Sequence, residues 1–384
     1  MHIENWDYWK SHVETIEGLS SLEKERVKNA FDTVGKIFDT DLQSLVEKGH
    51  YIYWNIANTA PWTRKWFIHF SDALQKSLSQ KNGQQIIDRL KRPSDYDVAL
   101  LELDIANSFM NVGFEVEFYP IVEQINKKPD LKITNPNTNE QFFVEITELG
   151  ASDQAKESYK TFDTISKELF SKSHTSDGKR IHSMGRIHKY LSEPNLKRIM
   201  EKINNMIEKV KNTGFEELVE NEVIELALST DDKIEFLKSW AKERGIDANL
   251  IGPSSDPDEV HRLHQKIRRE QKQLPQNLLN ILVIKDGTRF MIGRRDIKEV
   301  SKLEEYVYEH NHLAFCIVFN SYISGSLEEK IMNLGDHIRL QKSSDMLGRE
   351  MLILTNKFII DKTLTPNSIS KIKQAFLENR EFLV

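Results

Sequence analysis

Apolar residues recur every three or four positions through the first part of the chain. The segments "LSSLEKERVKNAFDTVGKIF" and "WFIHFSDALQKSLSQ" both show this spacing, and no alternating pattern competes with it. Such spacing lines the apolar side chains along one face of a helix. We therefore predict that residues 1–88 form a helical N-terminal region.

From residue 89 onward, helical spacing and strand-like alternation follow each other. A helix is expected within "RPSDYDVALLELDIANSFMNVG", where Ser94 can cap the start and Gly113 can end it in a left-handed conformation. The short segments "FEVEFYP", "DLKIT" and "QFFVEIT" then alternate apolar and polar residues, as strands do. The last two are predicted to form a hairpin, and the mixture indicates an α/β fold.

The rest of the chain continues this mixture after a polar stretch. Residues 151–215 are interpreted as a helical insertion, in which the basic "SDGKRIHSMGR" is taken as a solvated loop, with a phosphate clamp as the alternative. Strand patterns resume at "VIELALS", "LLNILVIKD", "LAFCIVFN" and "REMLILTN", and helical patterns lie at "EVHRLHQKIRREQKQL" and "SISKIKQAFLEN". We therefore predict that residues 89–384 form one domain that carries the insertion.

Composition narrows the functional classes without choosing one. The chain has 384 residues and a formal net charge of −6, so it is not a uniformly basic nucleic-acid binder, although a local basic groove stays open. Its single cysteine, Cys316, lies in an apolar run and excludes a disulfide framework or a multi-cysteine metal site. The N-terminus lacks a signal-peptide pattern, and no apolar run approaches the ~20 residues of a membrane helix, so we expect a cytoplasmic protein.

The predicted hairpin places two acids beside each other. A turn at residues 135–140 pairs Thr134 with Gln141 and, by extension, Asp130 with Glu145. One face of the hairpin is then apolar, whereas the other carries both carboxylates, which repel each other unless a cation lies between them. Mg²⁺ suits such a pair, because one or two carboxylates with waters and phosphate oxygens complete its shell. An exposed hairpin with scattered charge is the alternative.

The preceding helix adds a third acid. Val98, Glu102, Ile105 and Phe109 follow the i, i+4, i+7, i+11 spacing of a core-facing stripe. Glu102 is the polar member, and a buried carboxylate is costly unless it is paired or metal-bound. We expect it to face the acids of the hairpin, although a structural salt bridge would also explain its position.

Together these residues resemble the PD-(D/E)XK nuclease superfamily. "ELDIANSFMNVGFEVEFYP", "KKPDLKI" and "FFVEIT" match its helix glutamate, its Pro-Asp and the acid of its next strand in type, order and spacing. "QKIRREQKQLP" with "NLLNILVI" resembles its following helix and strand, so the resemblance covers about residues 89–149 and 220–290. It implies a restriction-endonuclease-like fold, a mixed β-sheet flanked by helices. It also implies a metal-dependent endonuclease that hydrolyses phosphodiester bonds of nucleic acid, with DNA favoured over RNA.

The resemblance also assigns roles to residues. Asp130 and Glu145 would hold Mg²⁺ or Mn²⁺, with the Ile146 carbonyl as a third ligand. Glu102 would support the site or bind a second ion. The family's usual lysine, which orients the attacking water and stabilises charge at the phosphate, is replaced here by Thr147.

Thr147 leaves two functions open. Lys132 on the same predicted hairpin face, or Lys272 or Gln273 on the later helix, could supply the group that threonine lacks. Alternatively, the chain is a catalytically impaired nuclease-fold module that binds nucleic acid or a protein partner without cutting. A homo-oligomer is compatible with either function.

The predicted helix around residue 266 carries a basic face. Arg262, Lys266 and Arg269, followed by Gln273, recur at i, i+4, i+7 and i+11 beside an apolar stripe. Given the family resemblance, we predict that the three cations contact the phosphate backbone of nucleic acid. A merely solvated face is the alternative.

Overall fold

The computed structural model describes residues 5–39, 41–122, 128–150, 153–174, 178, 180–220, 222–252, 259–287, 297–323, 329–334, 337–344, 347–377 and 383. The described chain is mixed α/β, as predicted, and divides into two compact units. The first unit comprises Met1–Leu149 and Val260–Val384, and the second comprises Gly150–Glu259. The second unit is therefore inserted in sequence between two parts of the first.

The N-terminal region is helical, as predicted, and belongs to the first unit. At the start of its second helix, the Ser20 hydroxyl accepts from the Glu23 N–H and the Glu23 carboxylate accepts from the Ser20 N–H, which forms a capping box. Apolar residues at helical spacing along these segments are buried. The helices are α1 (Trp6–His12), α2 (Ser21–Phe38), α3 (Leu42–Glu47), α4 (Ile52–Ala57), α5 (Pro61–Leu78) and α6 (Gly83–Leu90).

The next helix, α7 (Tyr96–Asn111), ends where the sequence predicts but begins later than expected. Gly113 follows it with φ +82°, the left-handed conformation that glycine adopts without steric cost. At the start, Asp95 occupies the capping position, and no described side chain caps the helix. The Ser94 hydroxyl donates to the Asp95 carboxylate at 3.1 Å instead, so the predicted Ser94 cap is wrong.

The predicted core stripe of α7 is shorter than the spacing indicated. Glu102, Ile105 and Phe109 are buried, as predicted. Val98 lies in the first turn of the helix and is 50% exposed, so its expected core position is wrong. Three of the four predicted positions are therefore buried, and Glu102 is the polar one among them.

Three strands follow α7, and the second and third of them form the predicted hairpin. They are β1 (Glu115–Phe118), β2 (Leu131–Thr134) and β3 (Gln141–Leu149), with antiparallel pairing of β1 with β2 and of β2 with β3. Thr134 pairs with Gln141 and Leu131 with Val144, which confirms the predicted register. Because the pairing is set by the turn, a slip of one residue would have moved every side chain to the other face.

The second unit has its own helices and sheet. Among its described residues, β4, β6 and β5 form a three-stranded antiparallel sheet in that order. The basic segment predicted as a loop contains β4, and the "VIELALS" strand is β6 of this sheet, outside the sheet of the first unit. Its elements are α8 (Asp153–Ser171), β4 (Ile181–Ile187), α9 (Glu193–Thr213), β5 (Phe215–Glu220), β6 (Ile224–Thr230) and α10 (Ile234–Glu243).

The first unit resumes with a helix that ends earlier than predicted. α11 (Glu259–Glu270) is followed by a 3₁₀ turn over Gln271–Gln273 rather than by a helix to Leu274. The predicted strands and closing helix after it are present, and β9 and β10 are additional. These elements are β7 (Leu279–Asp286), α12 (Ile297–Tyr308), β8 (Leu313–Ile323), β9 (Glu329–Leu334), β10 (His337–Ser344), β11 (Leu347–Thr355), α13 (Lys357–Thr363) and α14 (Pro366–Leu377).

A mixed sheet organises the first unit. In its described residues, eight strands lie in the order β1-β2-β3-β7-β8-β11-β10-β9. β3, β7 and β8 are parallel neighbours, whereas the other neighbouring pairs are antiparallel. Parallel neighbours need a crossover connection, and α11 and α12 lie in the connections that lead into β7 and β8.

Apolar side chains cover both faces of this sheet. On one face, Val144 and Ile146 of β3 belong to a core that includes the N-terminal helices and α7. On the other face, Phe143 packs in a core with Leu263 and Ile267 of α11. Successive strand residues point to opposite faces, so Glu145 of β3 lies on the side that α11 covers.

The single cysteine of the chain belongs to the core on the α11 side of the sheet. Cys316 of β8 is fully buried, as its surroundings predicted, and burial raises the pKa of its thiol to about 12. Such a thiol stays protonated at neutral pH and acts as a small apolar side chain. Over the described ranges, no helix combines the length and apolar character needed to cross a membrane.

Candidate functional site

Asp130 stands one residue before β2, next to the middle of β3. Its Oδ2 accepts a hydrogen bond from the Ile146 N–H at 2.7 Å, which is the position expected if Asp130 pairs with Glu145. Glu145 is buried, with 6% of its surface exposed. The hairpin thus brings both predicted acids to adjacent positions, at the strand that leads into the parallel part of the sheet.

Glu102 of α7 is buried and engaged by two donors. Arg89 Nη1 donates to Glu102 Oε2 at 2.5 Å, and the Tyr119 hydroxyl donates to the same oxygen. Arg89 Nη1 also donates to the Tyr119 hydroxyl at 2.7 Å, and the guanidinium carbon lies 5.1 Å from the Tyr119 ring centroid. Of the two explanations that the sequence allowed for Glu102, the salt bridge is therefore present.

Tyr119 has an unusual backbone conformation. Its φ is +50°, a left-handed value that is rare for a bulky residue and costs on the order of 1–3 kcal/mol. The Tyr119 N–H donates to the main-chain oxygen of Asp130 at 2.8 Å, which extends the pairing of β1 with β2 and helps to hold this conformation. The residue therefore links the Asp130 backbone to the Glu102 carboxylate.

A fourth acid, Glu270, lies at the end of α11 and is 5% exposed. It accepts from Arg269 Nε at 2.8 Å, from the Gln273 amide and from Lys266 Nζ at 3.1 Å. Burial alone would raise the pKa of Glu270, but these three donors together lower it. Glu270 is therefore ionised at neutral pH and adds negative charge to this region.

Asp130 lies in the electrostatic field of the acids on both helices. Burial is the largest cause that raises the pKa of Asp130 to about 8, and the charges of Glu102 and Glu270 act in the same direction. The Ile146 N–H and the Arg89 charge act against them. Burial also raises the pKa of Glu102, against its contact with Arg89. A cation near Asp130 would relieve this excess of negative charge.

The other predicted catalytic residues lie in different surroundings. Thr147 of β3 and Lys132 of β2 are half-buried, whereas Lys272 is exposed in the turn after α11. Gln273 donates to Glu270 and is connected to the acids through that contact. Among these four residues, only Gln273 has a contact with an acid of this region in the described part of the chain.

The predicted cationic face of α11 is divided between two environments. The Lys266 side chain is 12% exposed and contacts Glu270, so Lys266 belongs to the acid cluster rather than to a solvated row of cations. Arg269 also contacts Glu270 but keeps 69% of its side chain exposed. Arg262 is half-buried. An uninterrupted cationic face is therefore the wrong description of this helix.

Sequence reasoning missed three residues of this region. Glu270 follows Lys266 by four positions, a spacing that places both on one helix face, so this pair had a readable signal. Arg89 and Tyr119 reach Glu102 from elements 13 and 17 residues away, and no local spacing indicates such contacts. The positive φ of Tyr119 likewise has no signal in its residue type.

The hairpin carries few side chains of the kinds that bind metal ions. Within the described ranges, no group of three or more His, Cys, Asp or Glu side chains is arranged to hold a metal ion. Magnesium needs only one or two protein carboxylates, because waters and substrate phosphate oxygens complete its octahedral shell. Asp130 and Glu145 offer oxygens of this type, with the Ile146 carbonyl on the same strand.

Comparisons of the chain with protein-family models, with curated proteins and with solved structures each gave no match. The basis for assigning a function is therefore the site itself. In it, desolvation and then the charges of buried acids on α7 and α11 raise the pKa of Asp130 at the edge of the hairpin, and that hairpin carries a further buried acid, Glu145.

Proposed function

We propose that this chain is a magnesium- or manganese-dependent nuclease with a restriction-endonuclease-like fold, acting on nucleic acid and first of all on DNA. The observation that carries the proposal is the bond from the Ile146 N–H to Asp130 Oδ2 at 2.7 Å. It brings the Asp130 carboxylate to the residue that follows Glu145 on β3, which supports a magnesium site with these two acids as its protein ligands. A purely structural hairpin has no need of a buried acid, Glu145, next to a half-buried one, Asp130.

The order of elements supports the proposed fold. A helix with a buried glutamate precedes a strand, a hairpin with both acids, a second helix and a strand parallel to the hairpin. This is the order that the resembling nuclease superfamily implied for residues 89–149 and for the helix and strand after the insertion. The later strands β8 to β11 extend the sheet beyond this set.

In the proposed site, Asp130 and Glu145 hold the metal ion, and the Ile146 carbonyl is available as a further ligand. A bound Mg²⁺ would polarise a phosphodiester and activate water for attack on the phosphorus. The chain itself orients Asp130, because the Ile146 N–H fixes one carboxylate oxygen and the Tyr119 N–H fixes its main-chain oxygen. Both contacts exist before any substrate binds.

Thr147 cannot supply the positive charge that the family's lysine places at the phosphate. Two other cations could supply it. Arg89 lowers the pKa of Asp130, so its charge acts at the proposed metal site, although its guanidinium is bonded to Glu102. Lys266 is bonded to Glu270, whose charge also acts on Asp130. These two cations replace the exposed Lys272 in our proposal, and Lys132 stays a candidate on the hairpin.

The second candidate function is a nuclease-fold module that binds nucleic acid or a protein partner without cutting it. One observation favours it: Arg89 and Tyr119 both bind Glu102 Oε2, so this carboxylate is committed to protein donors. Thr147 also stands where the resembling family has its lysine. The proposed metal site therefore has neither that lysine nor an uncommitted Glu102 to support catalysis.

A cleavage assay separates the two functions. Purified protein is incubated with single- and double-stranded DNA and RNA in Mg²⁺ or Mn²⁺, and we expect cleavage that falls by at least about a hundredfold in Asp130→Asn and Glu145→Gln. Glu148→Gln, an exposed acid on the same strand, is the matched control and should keep wild-type activity. Equal activity in all four proteins would reject the site, and binding without cleavage would favour the second function.

A further inference from the structure

Arg64 in the first turn of α5 is a buried cation that has no acidic partner among the described residues. Its side chain has no exposed surface, and within the described chain none of its three guanidinium nitrogens has a hydrogen-bond partner. Burial lowers the pKa of Arg64 to about 10, which still leaves the group charged at neutral pH. Another fully buried arginine of the first unit, Arg349, donates to Asp104 at 2.6 Å.

The immediate neighbours of Arg64 are aromatic rather than acidic. Its guanidinium carbon lies 5.2 Å from the ring centroid of Phe31 and 6.0 Å from that of Trp9. Contacts of this kind stabilise a desolvated cation. Burial of an unpaired ion costs more free energy than such contacts return, even after the protein relaxes, so the rings alone do not compensate Arg64.

A second unsatisfied donor lies next to this cation. The indole Nε1 of Trp9 is buried and, among the described residues, likewise has no acceptor. Donors from α1 and α5 thus meet at one place in the N-terminal region, and neither element supplies an oxygen for them. The group that would satisfy both is an acceptor with negative charge.

We propose that Arg64 and Trp9 form a binding site for a small tetrahedral oxyanion of the phosphate or sulfate type. The planar guanidinium presents parallel N–H groups that match two oxygens of such an ion, and the indole N–H, on a ring whose centroid lies 6.0 Å from the guanidinium carbon, would bind a third. Phe31 closes the site from α2. This site shares no residue with the Asp130 region, so it does not depend on the proposed nuclease function.

In the proposed site, the ion would reach Arg64 past α1. Trp6 and Trp9 of this helix pack against the core, but none of its seven residues is fully buried, whereas α2 and α5 each contribute several buried residues. Separation of α1 from the first unit therefore costs less free energy than separation of α2 or α5. Because Arg64 has no exposed surface, the site suits a small ion that enters when α1 moves and excludes the backbone of a nucleic-acid duplex.

The test is the thermal midpoint of the full chain as a function of inorganic phosphate, with chloride keeping the ionic strength constant. Wild type should show a saturable rise with phosphate or sulfate. Arg64→Met should lose that rise and should unfold at an equal or higher temperature than wild type in phosphate-free buffer, because the substitution removes an unpaired buried charge. Arg26→Met, on α2 and half-exposed beside Asp72, is the matched control and should respond as wild type does.

A second variant keeps the proposal testable if Arg64→Met does not fold. Trp9→Phe retains an aromatic ring but removes the indole donor, so it should raise the half-saturating phosphate concentration about tenfold. Absence of a saturable response in wild type would overturn the proposal. An equal response in wild type and Arg64→Met, or an unchanged half-saturation in Trp9→Phe, would place the ion elsewhere and would equally overturn it.

Discussion

The surroundings of Asp130 disfavour its ionised form, and this has a consequence for stability. The pKa of Asp130 is about 8 in the folded protein, against about 3.9 for an aspartate in an unfolded chain. Between these values the folded state retains a proton that the unfolded state has lost. The free energy of unfolding therefore falls as pH rises from about 4 to about 8.

Replacement of Asp130 by asparagine should remove this loss. In metal-free buffer at pH 8, we expect Asp130→Asn to be more stable than wild type by up to about 5 kcal/mol, at about 1.4 kcal/mol for each unit of pKa difference, with a gap that closes toward pH 4. Asparagine keeps an oxygen that can accept the Ile146 N–H, so the fold should be unchanged. The measurement is chemical denaturation of both proteins across this pH range with a chelator present.

Glu148→Gln serves as the control for that comparison. It changes an exposed acid on β3, so its stability should follow wild type at every pH. A gap between Asp130→Asn and wild type that is constant with pH, or that widens toward acid, would contradict the ionisation behaviour assigned to Asp130.

At the scale of elements, the cations of α11 lie in two different environments, although their spacing predicted a single cationic face. Lys266 stabilises the buried Glu270, whereas Arg269 keeps most of its side chain in solvent. Removal of Lys266 would take one of its donors from the buried Glu270 and would lower the stability of the protein. A loss of nucleic-acid binding in such a variant could then not be distinguished from a loss of folded protein. A test of nucleic-acid binding therefore changes the two arginines and retains the lysine.

We expect Arg262→Ala with Arg269→Ala to weaken DNA binding without regard to sequence, because phosphate contacts position a protein but do not specify bases. The slope of log affinity against log salt should flatten by at most about 1.8, or about 0.9 for each phosphate that the variant no longer neutralises. Binding is measured at several salt concentrations with Ca²⁺ in place of Mg²⁺. Arg198→Ala with Lys202→Ala, two half-exposed cations of α9, is the control, and an unchanged slope in the α11 variant would return this helix to the solvated-face interpretation.

The hairpin was predictable from sequence because its information is local. The turn between Thr134 and Gln141 fixes the register, and the register fixes which residue lies beside Asp130. The partners of Glu102 were not predictable, because Arg89 and Tyr119 meet it only through tertiary packing. The sequence could therefore indicate that Glu102 needs a partner but could not identify that partner.

Strands of the second unit show the opposite case, in which local information misleads. Polar and basic residues around Ile181–Ile187 suggested a loop, yet this segment forms β4 and pairs with β6. Its strand character comes from the neighbour it pairs with and from burial of its two terminal isoleucines. Tertiary context overrides weak local propensity in such edge segments.

At the scale of the whole molecule, each of the two units has its own apolar core. The core clusters of Gly150–Glu259 contain residues of that segment alone, including Ile203, Leu226 and Trp240. We therefore expect a fragment of residues 150–259 to fold alone and to unfold cooperatively on heating, since domains of about 100 residues can support a stable core. Near-ultraviolet circular dichroism and thermal melting check this. A fragment without fixed tertiary signal would mean that its fold depends on the first unit.

The central claim is that Asp130 and Glu145 form a site for a divalent cation. The most direct measurement is the thermal midpoint of the full chain as Mn²⁺ or Mg²⁺ is added, since a ligand at about 100 times its dissociation constant stabilises a protein by about 2.7 kcal/mol. We predict a saturable rise for wild type and for Glu148→Gln, and no rise for Asp130→Asn or Glu145→Gln. An equal rise in all four proteins, or none in wild type, would contradict the claim.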